Sequence, residues 1–544
     1  MKPNSAVRAS ASLALAPVPA WLRRALPGAV GLGLVLIVWA ALASGLADLK
    51  VIPSPLDVAV RIWQDRSAHQ ANIAVTLREA MVGYVWGNLA AILLAVLFVR
   101  LPAVERVLLR LAIASYCVPL VAIAPILVVV LPGDAPKEAL AALSVFFTTL
   151  VATVVGLRSS DAAAVDLVHA CGGSGWQTLR MVRIRAALPS LFAGLRIAAP
   201  AALLGAIIGE YLGASRGLGV ALVQAQSSFE VERTWGIALV ISALAGLLYA
   251  ATAIVARLLT PWAGKQLDVG AGAADAAGRR GGRISRALET AGFLLASVAV
   301  TLVGWYALLR LFDLNGYFAK TPADVFRYVA ADADAVAHRH ELWVALKVTL
   351  LDAAIGYLVG TVVAVVMAIV VVTIRAVEQT MMPVAIVLRS VPLVAMAPLI
   401  ALVFGRGLLG VTVIVALVVF FPTLVNLSVG LRAAPLPACD LVTSMGGSPF
   451  HTVTKVRLQY ALPALFASAR IAVPAAIGGA TLAEWLATGD GLGSLLVIAY
   501  SSSRFGTLWA GAVLVVVVSV GLYALISAVE RPVLRRYTPQ YSTR

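Results

Sequence analysis

The sequence predicts an all-α polytopic membrane protein of about twelve transmembrane helices, arranged as two parallel six-helix repeats. Three observations carry this. Hydrophobic residues make up 61% of the 544 positions and charged residues only 12%, about half the charged share of a soluble domain. The apolar residues fall into continuous blocks of roughly 20, long enough to cross a hydrocarbon core about 30 Å thick. The second half of the chain also repeats the first. A soluble enzyme, a disordered chain and a secreted disulfide scaffold are thereby excluded. Continuous rather than alternating apolar blocks argue against a β-barrel.

The repeat is legible residue by residue. VTLREAMVGYVWG from Val75 pairs with VTLLDAAIGYLVG from Val348, and VPLVAIAP from Val118 with VPLVAMAP from Val391. After a one-residue slip, DLVHACGGS from Asp166 pairs with DLVTSMGGS from Asp440, and ALPSLFAGLRIAAPAA from Ala187 with ALPALFASARIAVPAA from Ala461. The shared Gly, Pro, Arg and Asp positions matter most, because apolar composition alone cannot generate them.

Hydropathy places six spans in each half: 27–46, 73–99, 107–131, 138–157, 188–213 and 235–258, then 289–312, 344–373, 381–404, 408–430, 462–486 and 507–529. An even number per half gives both halves the same orientation, a parallel repeat about an axis along the membrane normal. The division is 1–261 for the first domain and 287–544 for the second. The join at 262–286 is rich in Gly and Ala and reads as a flexible cytoplasmic linker. The first span, although followed by a signal-like Ala41-Leu42-Ala43, is longer than a signal-peptide core and has a counterpart in the second half, so it is expected to be retained.

The net charge of +16 belongs to loops facing lipid headgroups rather than to nucleic acid. Lys2, Arg8, Arg23, Arg24, Arg100, Arg106, Arg110, Arg158, Arg180, Arg183 and Arg185 fall on one side with the linker and the basic tail. The opposite side carries fewer: Lys50, Arg61, Arg66, Lys137, Arg216 and Arg233. Both termini are therefore expected to be cytoplasmic.

The segment richest in functional information is the cytoplasmic loop between the fourth and fifth spans, 158–188 and 432–462. Connections that merely join spans are short; this one is long and occurs twice. A short helix over about 160–170, a Gly172-Gly173 break matched by Gly446-Gly447, and a basic stretch leading to re-entry at Leu188-Pro189 make a knob projecting from the membrane. It is expected to dock a partner.

These loops resemble the cytoplasmic motif of binding-protein-dependent ABC importer permeases: Glu-Ala-Ala, three residues, Gly, then a spacer ending in Leu-Pro. Asp166 and Asp440 stand at the Glu position, and Gly172 and Gly446 at the Gly position. The following Gly173-Ser174 and Gly447-Ser448, the ALP and Arg-Ile-Ala segments, SPLDV and TPADV, and the late Glu…GLG resemble the nitrate/sulfonate/taurine branch. The chain departs from the motif at Leu167-Val168 and Leu441-Val442, where the family has two Ala, and at Arg185 and Gln459, where the branch has Pro.

The resemblance implies a type I importer fold with two permease domains fused in one chain. It implies ATPase-coupling loops at Asp166, Gly172, Gly173, Ser174, Asp440, Gly446, Gly447 and Ser448, with the Asp capping free N–H groups and the Gly break giving the left-handed exit at the helix ends. Two copies of a cytoplasmic ABC ATPase would dock there, and a periplasmic or extracellular substrate-binding protein on the other face. It places the chain in the plasma (inner) membrane of a bacterium, with a small anion such as a sulfonate, taurine or nitrate as cargo. ATP would be used by the partner: the chain has no G-x-x-x-x-G-K-[ST] segment, and neither catalytic, cofactor nor metal residues are assigned in it. The alternative is an ion-gradient-driven carrier with parallel six-helix halves, which calls for ionisable residues near the midplane and short inner loops.

Candidate pathway or gate residues are Glu210 and Glu484, matched near the outer end of the fifth span, and Pro119, Pro125, Pro392 and Pro398 in the third. Intramembrane carboxylates are costly and often functional. Two readings are open for the pair: a gate or binding-protein contact, or helix-end carboxylates reaching water. Glu79 and Asp352 form a second matched pair. The prolines suggest helices lining the path or ordinary bundle packing. Arg196 and Arg470 read as snorkelling to the cytoplasmic interface. His338 and His340 read as solvated loop residues, and Cys117, Cys171 and Cys439 as reduced thiols.

Overall fold

The computed structural model describes residues 33, 35–45, 51–262, 283–374, 377–378 and 393–537, and every regular element among them is helical. Eight of these helices are long and apolar enough to cross a membrane. Arg66–Arg100, Ala135–Arg158, Gly175–Gly213 and Val231–Leu259 are the second, fourth, fifth and sixth spans of the first half. Ala335–Thr373, Leu408–Arg432, Pro449–Leu486 and Phe505–Leu534 are their counterparts. The first spans are represented by the apolar helices Val35–Gly45 and Leu295–Leu311. Residues 263–282 of the linker and 379–392 of the second half's third span, Pro392 among them, lie outside the described residues.

The third span is where a straight crossing fails. Pro102–Cys117 and Leu120–Val130 meet at a bend of 97°. A residue before proline is pushed out of the α region by the ring, and Val118 accordingly takes an extended conformation (φ −76, ψ 115). Pro119 then caps the following helix. Pro125 is buried inside that helix, and Pro398 falls within its counterpart Leu393–Phe404.

Small residues let the second, fourth and fifth spans approach closely. A Cβ at Gly87 would lie 2.5 Å from the Ala142 carbonyl oxygen, and one at the matched Gly360 would lie 2.6 Å from that of Ala416. Ala198, Ala202 and Ala206 of the fifth span are buried against this contact, as are Ala472, Ala476 and Ala480. Without a hydrophobic force between helices in lipid, such backbone approach is what dispersion forces require.

The halves exchange contacts. Leu120–Val130 packs on the fifth and sixth spans of the second half, and Leu393–Phe404 packs on those of the first. One apolar core, including Leu203, Ile207, Leu492 and Leu496, runs through both halves. The Ser297 hydroxyl donates to the Val107 carbonyl (3.0 Å), and the Tyr116 hydroxyl to that of Ile471 (3.4 Å). Each first span is held to its sixth by stacked tryptophans, Trp39 on Trp235 (5.5 Å) and Trp305 on Trp509 (5.3 Å).

Candidate functional site: paired docking corners and paired carboxylate clamps

Each loop between the fourth and fifth spans is a helix–corner–helix built from the Gly-Gly-Ser triplet. In the first, the helix Ala162–Ala170 is capped by Asp161, whose side chain accepts from the Ala163 N–H (3.0 Å). It ends with Gly172 in the left-handed region (φ 75). The Gly172 N–H donates to the His169 carbonyl (2.9 Å) and the Gly173 N–H to that of Val168 (2.8 Å). These are the two bonds of a Schellman motif, which satisfies carbonyls orphaned at a helix end. Ser174 then caps the next helix in a reciprocal box with Gln177. The second loop repeats this: Gly446 (φ 79) donates to Thr443 (3.0 Å), Gly447 to Val442 (2.9 Å), and Ser448 caps a helix that starts at Pro449.

One expectation is corrected here. Asp166 and Asp440 do not cap: both lie inside their helices, Ala162–Ala170 and Leu436–Ser444, and the capping carboxylate is Asp161 in the first loop and absent from the second. The helix leading back into the membrane starts before Leu188-Pro189. A continuous helix begins at Gly175, passes a π-helical turn at Leu179–Arg183, and carries Pro189 inside it. The two glycines also differ in kind. A Cβ at Gly172 meets nothing within 4 Å, whereas one at Gly173 would sit 2.5 Å from the Val168 side chain.

The corners present apolar side chains outward. Leu167 and Trp176 are exposed on the first, and the matched Leu441 and Phe450 on the second, with Met445 beside them. Arg100 lies over the Trp176 ring at 5.4 Å. Each loop is rooted in a small core of its own, around Phe98, Leu157 and Leu179 or around Leu427, Leu431 and Val453. A matched ion pair ties each root to the third span: Arg158 with Glu105 (2.5 Å) and Arg432 with Glu378 (2.7 Å).

At the opposite end of the fifth span, Glu210 and Glu484 are buried, at 1% and 0% exposure. This burial does not fit a helix-end carboxylate reaching water. Each instead clamps the start of a short helix. The Glu210 carboxylate accepts from the Thr76 hydroxyl (2.6 Å) and the Gly219 N–H (2.5 Å), while the Leu218 N–H donates to Thr76 Oγ1 (2.9 Å). Glu484 accepts from Thr349 (2.9 Å) and Gly493 (2.8 Å), and the Leu492 N–H donates to Thr349 Oγ1 (2.9 Å). These are the first N–H groups of Leu218–Ser227 and Gly491–Ser501, which have no partner within their own helices. Truncating a carboxylate would leave buried donors unpaired, each costing roughly 1–3 kcal/mol.

The clamps differ in what lies next to them. In the first half, Lys137 donates to Glu79 (2.9 Å) and Asp134 (2.8 Å), and Arg78 also pairs with Asp134. The Lys137 hydrogen bond, helped by Arg78, holds the Asp134 carboxyl below its ordinary pKa. That contribution is present above the ordinary value and is lost only as pH falls through the depressed one. In the second half Asp352 stands where Glu79 does, and Gly410-Val411 offers no cation at the lysine's place.

The remaining candidates are accounted for by packing. Arg196 stacks under Tyr249 of the sixth span (5.1 Å), and Arg470 pairs with Glu530 (3.3 Å), so both face the sixth spans. His338 stacks on Tyr328 at 3.8 Å, rather than standing free in solvent. Cys117 and Cys439 are buried and Cys171 is exposed, all as free thiols.

The chain belongs to the family described as binding-protein-dependent transport system inner membrane component, whose model matches residues 87–265 and again 354–535. It is similar to the riboflavin transport system permease protein RibX of Chloroflexus aurantiacus, with 33% identity over 44% of this chain and 91% of RibX. It is also similar to the formylaminopyrimidine transport permease protein ThiX of Halalkalibacterium halodurans, with 30% identity over 43% and 94%. The putative aliphatic sulfonates transport permease protein SsuC of Escherichia coli shares 26% over 45% and 95%. No solved structure gives a significant match. The chain is thus a multi-pass ABC transporter permease carrying its domain twice, and this family component is not itself the catalytic one.

Proposed function

We propose that this chain forms the whole translocation pathway of an ATP-driven, binding-protein-dependent importer, with domains 1–261 and 287–544 joined by a cytoplasmic linker. The observation that carries this is the duplication of the docking corner. Two corners of the same backbone design, each with exposed apolar side chains and each anchored to its own bundle, fit two copies of one ATPase. These corners and both termini lie in the cytoplasm of a bacterium, a reading whose cytoplasmic side is supported by the distribution of basic residues. ATP is bound and split by the ATPase, and a binding protein delivers cargo on the other face.

Asp166, Gly172, Gly173, Ser174, Asp440, Gly446, Gly447 and Ser448 shape the coupling corners. In the gate region Pro119 and Pro125 shape the exchanged third spans, with Pro398 at the place matching Pro125, and Glu210 and Glu484 pin the far end of the fifth.

The cargo is a small anion such as a sulfonate, taurine or nitrate, in keeping with the likeness to SsuC. A nitrogen heterocycle is the second reading, favoured by higher identity to permeases named for riboflavin and formylaminopyrimidine. The mass of the detergent-solubilised complex tests the assembly. One permease chain with two ATPase subunits is expected; two permease chains with two ATPases would refute the single-chain pore.

A further inference from the structure

The pathway of a two-half pore runs along the axis relating the halves, and a residue that touches its own counterpart must lie on that axis. Tyr211 and Trp485 are such a pair. They occupy matched positions, directly after Glu210 and Glu484, and their rings meet across the boundary between the halves in an edge-to-face contact, centroids 5.8 Å apart. The Tyr500 hydroxyl reaches across the same boundary to the Leu212 carbonyl (3.5 Å). This contact lies at the end of the fifth spans opposite the docking corners. We propose that Tyr211 and Trp485 form the seal closing the pathway at that face, with the two carboxylate clamps as its positioning residues. The proposal rests on the reading of the chain as a pore.

Three features suit a seal that opens and recloses. First, the clamps fasten each aromatic residue's helix end to a short helix, Leu218–Ser227 or Gly491–Ser501, and to the second span. Tyr211 and Trp485 therefore move with their own half as a rigid piece. Separation of the halves separates the rings, without any side chain having to find a new rotamer. Second, edge-to-face aromatic contacts are geometrically specific but individually weak, so the pair can register without locking. Third, Trp485 sits in a π-helical segment, Glu484–Thr488, that ends at left-handed Gly489 (φ 84). The first half stays α-helical through Tyr211 to Gly213. Single π turns inside α-helices recur at functional sites because they re-aim one side chain. Here the turn brings an indole, larger than its phenolic counterpart, to the axis.

The gate assignment of Glu210 and Glu484 changes accordingly. They do not line an opening. Each holds the residue after it, and a Cβ at Gly217 or Gly491 would run into the carboxylate, so the glycine after each fifth span keeps the clamp closed.

The test uses the permease with its ATPase bound and no nucleotide, in planar bilayers, with potassium chloride conductance as the probe. Tyr211→Ala with Trp485→Ala is expected to raise conductance several-fold above the parent, while Tyr211→Phe with Trp485→Phe stays sealed. An alanine pair as tight as the parent, with an unchanged melting profile, overturns the proposal. A second variant guards against misfolding. With Cys117, Cys171 and Cys439 replaced by Ser, Tyr211→Cys and Trp485→Cys are joined by a short bifunctional thiosulfonate. Joining is expected in the nucleotide-free complex and is expected to be lost when the ATPases are trapped closed. Equal joining in both states overturns the seal. Neither readout needs the cargo to be known. Loss of ATP-driven uptake by the parent chain would instead count against the importer reading.

Discussion

Lys137→Met destabilises the protein by about 3–5 kcal/mol, the largest effect expected of any single substitution in the polar cluster. Lys137 is 9% exposed and Glu79 not at all. Their 2.9 Å contact compensates a charge that the surrounding helices cannot solvate. Removing the ammonium leaves the buried Glu79 carboxyl without its cation, so it must stay uncompensated or take up a proton, and either costs far more than the pair itself contributes. Asp134 loses its nearer partner as well but keeps Arg78 and is close to solvent. The double variant Lys137→Met with Glu79→Gln is expected to recover most of the loss, since it leaves no buried charge. Thermal unfolding in detergent followed by tryptophan fluorescence measures both. A single variant as stable as the parent, or a double variant no better than the single, would contradict the buried ion pair.

Gly173→Leu together with Gly447→Leu abolishes transport while leaving insertion and the bundles intact. The carbonyls of Val168 and Val442 lie 2.6 and 2.7 Å from where each Cβ would be, so the Schellman bond must break and the corner must swing. The satellite cores beneath the loops are not touched, so the protein still folds. ATP hydrolysis by the bound ATPase continues, uncoupled from uptake. Gly172→Leu is milder, because its Cβ faces open space and the cost is only the left-handed backbone, about 1–2 kcal/mol. Proteoliposome uptake set against phosphate release, for both variants, distinguishes the cases. Equal transport in the Gly173/Gly447 pair and the parent would show that corner geometry does not couple the two.

Much of this was legible in the sequence. Apolar blocks gave the eight helices long enough to cross a membrane, and the realignment of Val75 on Val348 and of Asp166 on Asp440 gave the duplication. The Gly-Gly-Ser triplet marked the corner because each of its residues has one backbone job: left-handed exit, close approach to the preceding turn, and cap. The bend of the third span was half visible. Pro119 announced an interruption, but its 97° size depends on packing against the other half.

What stayed hidden was long-range pairing. Thr76 and Glu210 are 134 residues apart and Lys137 and Glu79 are 58 apart, and no local pattern joins them. A signal for the first was present, since a Thr stands in each VTL run and a Glu precedes each GLG by the same spacing, but it became a clamp only when the helices were placed together. Asp166 was misread as a cap because helix starts are poorly fixed by sequence; Asp161, five residues earlier, supplies the capping carboxylate at the true start.

The central claim is that work done by separate ATPases on two inner-side corners drives solute through one tandem chain. Its most direct measurement is solute uptake into proteoliposomes holding this chain, its ATPase and its binding protein. Imposed proton and sodium gradients are compared with internal ATP. The account predicts uptake that requires ATP and both soluble partners and persists when every ion gradient is collapsed. Uptake by the chain alone, driven by a gradient and indifferent to ATP, would contradict it.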